Sequence, residues 1–171
     1  MLLEKRKGVR FAVGTAVFGG LAYLVASGLM PVLKPLTAAM SAAVLSLFGS
    51  AYSQGALVFF NSLSVQVIPL CVGDIEIAVL AGAMFATEDR TVRDRILGVT
   101  GAFVFVMAIN SLRIAATLLA WQAWGIGAVE AVHSALFRTT LVVAIVGFYG
   151  AWYLRDVIGE KVKLHKLLKE R

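Results

Sequence analysis

The apolar positions of this chain fall into four long runs, at about 11–30, 67–87, 96–124 and 132–154. Each is close to or above the roughly 20 residues that an α-helix needs to cross a bilayer. The first run stops at Pro31, where a helix loses a backbone donor and meets a ring clash. The second stops at Glu88-Asp89-Arg90. Between these two runs the pattern changes twice. Over 34–49, Leu36, Met40, Ala43, Val44, Leu47 and Phe48 recur at helical spacing among Thr37, Ser41 and Ser46. That predicts an amphipathic or re-entrant helix on the outer face, too short and too polar to span. Over 50–68 the period shortens to two. Leu63-Ser64-Val65-Gln66-Val67 alternates strictly, Ala56 to Phe60 is rich in strand formers, and Asn61-Ser62 supplies a turn. A short outer-face β-hairpin is expected, leaning on the helices. The last segment, 155–171, is basic and amphipathic, the pattern of a helix on the cytoplasmic leaflet. The predicted fold is therefore an all-α membrane protein of one integral domain over 1–171, with about four transmembrane helices and these three accessory elements.

Composition supports the bilayer as solvent. The chain is 60% hydrophobic with a mean hydropathy of +0.86, against about 45–50% apolar residues in a soluble domain. A soluble or nucleic-acid-binding reading is excluded on that ground, despite the net charge of +6. The basic residues instead report orientation. Lys5, Arg6, Lys7 and Arg10 precede the first run. Arg90, Arg93 and Arg95 separate the second from the third. Arg155, Lys161, Lys163, Lys166, Lys169 and Arg171 follow the fourth. With four crossings, these 13 of the 16 basic residues share one side, which the positive-inside rule makes cytoplasmic. Both termini are then inside, in a multi-pass protein of the cell membrane. A fifth crossing at 34–49 would put the three-arginine loop outside. The N-terminus has the charges of a signal peptide, but its apolar run exceeds the 7–15 or so residues of a cleavable one, so a retained helix is expected.

Polar groups inside spans are costly and mark function by default. Cys71, the single cysteine, lies about four residues into the second span, roughly 6 Å at ~1.5 Å per residue. Arg113 lies in the outer half of the third span, and its long side chain can reach upward. His133 opens the fourth span, with Arg138 about one and a half turns deeper. Three helices thus bring Cys, Arg and His to one stratum. A thiolate is the reactive form of cysteine and is favoured by a nearby cation. An imidazole can take and return its proton, and a fixed cation can hold an oxyanion. Asp74 and Glu76 oppose a thiolate at Cys71 unless they pair with Arg113 or Arg138, or orient His133. Asn110 shares a face with Arg113. No Cys/His metal-ligand cluster and no phosphate-binding loop is visible, and no cofactor is implied. On the residues alone two readings stay open: a cysteine-based membrane enzyme, or a small non-enzymatic transport or scaffold protein held together by buried ion pairs.

Three blocks carry a resemblance: Cys71-Val72-Gly73-Asp74-Ile75-Glu76, then Asn110-Ser111-Leu112-Arg113-Ile114, then His133-Ser134-Ala135-Leu136-Phe137-Arg138. In order and topology they resemble the exosortase/archaeosortase family of membrane transpeptidases, in a compact form of the archaeal type. The resemblance covers about 35–155. It implies an activity at the outer face on exported proteins that carry a C-terminal motif, a transmembrane helix and a basic cluster. The sorting signal is cut through a Cys thioester and the new C-terminus passes to an acceptor, in some archaea a lipid. Cys71 would be the nucleophile, Arg113 the substrate- or oxyanion-stabilising cation and His133 the acid/base. Arg138 is the reserve third group, since some archaeal members use arginine there.

Overall fold

A computed structural model describes residues 2–155. The chain is mostly helical with one small sheet. Its elements in order are α1 (Leu2–Leu45), β1 (Ala51–Gln54), β2 (Leu57–Phe60), β3 (Leu63–Gln66), α2 (Pro69–Val72), α3 (Asp74–Ala86), α4 (Val92–Trp124) and α5 (Ile126–Val142). A π-helical segment, Val143–Phe148, follows α5, and helix continues through residue 155. Two helical stretches, Arg6–Leu45 and Val92–Trp124, are long and apolar enough to cross a membrane. The expected basic helix after residue 155 lies outside the described residues.

The largest departure from the sequence expectation is α1. It does not stop at Pro31, and 34–49 is not a separate amphipathic helix: one helix of 44 residues runs through both Pro31 and Pro35. A proline inside a helix costs about 3 kcal/mol. Packing offsets it here. Ala26, Met30, Leu33, Thr37, Ala38, Ser41, Ala42 and Leu45 are all buried, a stripe of helical period that passes both prolines without a phase break. The hydroxyls of Thr37 and Ser41 add local bonds of 2.8 Å to the carbonyls of Leu33 and Thr37.

The N-terminal half of α1 packs antiparallel against α3 through a seam of small residues. Ala78, Gly82 and Ala86, four apart on α3, meet Gly14 and Gly19 on α1. The fit is so close that a methyl group on Gly82 would stand 2.4 Å from the Thr15 carbonyl oxygen. Small residues at helical spacing let two backbones approach in this way, which is the usual means of helix association in lipid.

The sheet is also larger than the expected hairpin. It is a three-stranded antiparallel meander, ordered β1-β2-β3, with Ala51 opposite Phe60 and Phe60 opposite Leu63. The turn at Asn61-Ser62 falls where the sequence put it, with Asn61 at φ 51°. A second turn at Gly55, φ 57°, splits 50–60 into two strands. The inner face of the sheet buries Val58 and Phe60 with Val67, Leu33, Leu45 and Leu118 in one apolar cluster. Asn61 also fastens the sheet to α4: its Oδ1 accepts from Ser50 N–H at 3.1 Å and its Nδ2 donates to Gln122 at 2.8 Å.

The opposite end of the bundle is a knot of charges and aromatic rings. Arg10 pairs with Glu88 at 2.9 Å and Arg155 with Asp94 at 2.5 Å. Arg90 lies over the rings of Trp152 and Tyr153, and Thr87 is hydrogen-bonded to Tyr149 at 2.9 Å. Described residues from all three basic segments therefore meet at one end of the helices, and the sheet lies at the other.

Candidate active site

The expected second span, 67–87, is broken inside its first turns. Ile68, held extended before Pro69 as residues before proline prefer, turns the chain out of the sheet. Pro69 starts the single turn of α2, where its missing donor is not needed. Gly73 then takes a left-handed conformation, φ 85° and ψ 35°, and ends α2 as it begins α3. Cys71 sits on α2, half-buried, beside the apolar cluster under the sheet.

Gly73 is required twice over. Only glycine adopts φ near +85° without a steric penalty. A Cβ there would also stand 2.2 Å from Asn110 Nδ2 and 2.5 Å from Val106 Cγ1. Gly73→Ala is expected to lower stability by about 2–4 kcal/mol, from left-handed strain plus overpacking. Gly55, also left-handed but with open space around it, is the control: Gly55→Ala should cost only about 1–2 kcal/mol. Thermal unfolding of the two variants in the same detergent tests the difference, and equal shifts would refute the contact with Asn110.

From α4, Arg113 reaches the same strand of chain. It is 2% exposed, and its Nη2 donates to the Leu70 carbonyl at 2.8 Å. The guanidinium interacts electrostatically with the Cys71 thiol and with Glu76. On its other side it lies over the Phe137 ring of α5, 5.1 Å from the centroid, a cation–π arrangement. His133 is four residues before Phe137 on α5 and feels the charge of Arg113. The imidazole is exposed. Among the described residues it makes no hydrogen bond to Cys71 or to a carboxylate. Arg138, also exposed, leaves α5 about 140° around from His133 at 3.6 residues per turn, away from the face that meets Arg113.

Asp74 and Glu76 do not orient His133. Both lie in the first turn of α3, where backbone N–H groups have no helical partner and negative charge is favoured by the helix dipole. Asp74 Oδ1 accepts from Ile75 N–H at 3.0 Å, and the Glu76 carboxylate accepts from its own backbone N–H. Glu76 lies within electrostatic reach of Arg113, but among the described residues the expected pairing of Asp74 or Glu76 with Arg113 or Arg138 is not made. No hydrogen bond or ion pair joins Glu76 to Arg113, and Glu76 Oε1 and Arg113 Nε and Nη1 have no hydrogen-bond partner. Asn110, one turn before Arg113, is 1% exposed with neither amide atom bonded. A buried polar atom without a partner costs about 1–3 kcal/mol, so this is an expensive cluster to maintain. Among the described residues, no group of three or more His, Cys, Asp or Glu side chains converges as metal ligands.

Two parts of this site were not read from the sequence. Phe137 carries no polar atom, although its place four residues after His133 puts it on the same helix face. The Leu70 carbonyl is a backbone group, and only the break at Pro69 and Gly73 hints that it is free to accept.

The sequence profile of the transmembrane exosortases matches residues 4–150, most of the chain and all of this site. The chain belongs to the transmembrane exosortase family. No curated protein and no solved structure shows a significant match to this exosortase. The family places it in a membrane, and the segment matched begins well before the first of the three blocks.

Proposed function

We propose that this exosortase is a membrane-embedded cysteine transpeptidase whose nucleophile is Cys71. The observation that carries the reading is the position of the Arg113 guanidinium. It bonds the carbonyl next to Cys71, lies within electrostatic reach of the Cys71 sulfur, and meets the α5 face that bears His133. In this reading the imidazole of His133 takes the thiol proton. The thiolate attacks the carbonyl carbon of the scissile peptide bond, and the amine leaves with the proton returned by the imidazolium. A Cys71 thioester remains. A nucleophile on the acceptor, for which a membrane lipid is the candidate, then attacks the thioester and frees the thiol. The substrates are exported proteins with a C-terminal motif, a transmembrane helix and a basic cluster.

The topology we propose has four crossings with both termini cytoplasmic: α1, α2 with α3, α4, and α5 with the helix that follows it. α3 alone, about 20 Å at ~1.5 Å per residue, is shorter than the ~30 Å apolar core, so α2 contributes to its crossing. The meeting of Arg10, Arg90 and Arg155 at one end of the bundle supports this arrangement, since positive charge collects on the cytoplasmic side. Cys71 then faces outward, beneath the sheet.

The test is a covalent trap. The chain is co-expressed with a protein that carries such a C-terminal signal, and the membranes are solubilised at low pH. A substrate adduct on Cys71 that hydroxylamine releases is expected. Processed substrate with no adduct at any time point would rule out the thioester route.

A further inference from the structure

We infer that Asn110 is a further catalytic residue, whose side-chain N–H joins the free N–H groups of Arg113 in holding the oxyanion formed at the scissile carbonyl. The inference rests on the reading of Cys71 as nucleophile. Three observations lead to it. Both polar atoms of the Asn110 amide are buried and unbonded, and Arg113 Nε and Nη1 are in the same condition one turn further along α4. Native structures rarely bury polar atoms without partners, and where they do a ligand or catalytic role is a leading explanation.

The placement is specific to the nucleophile. The Asn110 amide abuts Gly73 while Arg113 holds the carbonyl of Leu70, so α4 grips the chain on both sides of Cys71. No hydrogen bond within the fold accounts for a polar side chain at Asn110. Val106, Met107 and Ile114 nearby on α4 are buried apolar residues, and a leucine would suit that packing as well.

The chemistry needs such donors. When the thiolate adds to the carbonyl carbon, a C–S bond forms and the π-electron pair of the C=O moves onto oxygen. Asn110 Nδ2–H and the free Arg113 N–H groups are already oriented and shielded from water, the condition under which donors stabilise a developing anion most. When the oxygen returns its pair, the C–N bond breaks and the amine takes the proton held by His133. No further reactant is required.

Two reactions of the same sulfur separate this role from a structural one. Alkylation of Cys71 by iodoacetamide displaces iodide and forms no oxyanion, whereas acylation by the signal-bearing substrate must form one. In Asn110→Leu and Asn110→Ala, alkylation is expected within about twofold of wild type. Thioester formation should fall about 100-fold or more, the range seen on loss of one oxyanion donor. Acylation within about threefold of wild type would overturn the proposal. So would a parallel loss of both reactions, or failure of both variants to accumulate as folded protein, since each makes the amide structural. A wild-type chain that forms no Cys71 thioester would instead defeat the underlying reading, and that is scored before any variant is made.

Discussion

Replacing Cys71 by alanine is expected to abolish processing of a signal-bearing substrate, and Cys71→Ser is expected not to rescue it. A serine hydroxyl holds its proton far more tightly than a thiol, and a single nearby imidazole with one guanidinium does not supply the difference. The loss should not come from unfolding. Cys71 is only half-buried, and its side chain makes one edge of the apolar cluster under the sheet. Removing a sulfur atom there should cost no more than about 1–2 kcal/mol. A substrate that is still shortened in Cys71→Ala membranes would end the case for a cysteine enzyme. It would favour a scaffold or transport protein with buried ion pairs.

Substitution of Arg113 should have nearly as large an effect, but the cause must be divided. Arg113→Ala removes the donor to the Leu70 carbonyl and the charge opposite Glu76. It also leaves the Phe137 ring without its cation. Leaving the Leu70 carbonyl without its donor and the Glu76 carboxylate buried without the nearby cation should cost about 1–3 kcal/mol each, so this variant should be both less stable and inactive. Arg113→Lys keeps the charge but loses the planar fork that serves Leu70 and the substrate side together. It should fold and still lose about 10²–10³-fold in rate. The decisive variant is Arg113→Met with Glu76→Gln. Removing both charges should restore much of the stability, while processing stays as low as in Arg113→Ala. Recovery of activity along with stability would mean that Arg113 serves the fold alone. Thermal unfolding and substrate processing, measured on the same preparations, give both readouts.

The sequence was most informative where one element both fixes the local pattern and carries the chemistry. Arg113 reaches both the Cys71 turn and the α5 face that bears His133, three positions that the run lengths place at a similar level on their helices. Glu76 comes within electrostatic reach of Arg113 but forms no ion pair with it, so the expected pairing is not made. The errors lie where long-range packing overrides a local signal. Pro31 reads as a stop, yet the buried stripe from Ala26 to Leu45 carries α1 past it. The split of 50–60 into β1 and β2 depends on Gly55 in a left-handed turn, a weak signal in a segment rich in strand formers. The closeness of Gly73 and Asn110 could not be read at all, since they are far apart in sequence and touch only through the register of α2 and α4.

The continuity of α1 has a mechanical consequence. From Arg10 to Lys34 it carries no charge, a distance of about 36 Å along the axis at ~1.5 Å per residue, against a hydrocarbon core of ~30 Å. Arg10 is tied to Glu88 at one end. At the other, the helix continues rigidly into the packing that holds the sheet and the Cys71 turn. Bilayers that do not match such a length impose tilt or deformation at a cost per ångström. In the four-crossing topology proposed above, the helix would act as a gauge, and lipids with longer or shorter acyl chains are expected to shift the depth of the Cys71 turn in the bilayer.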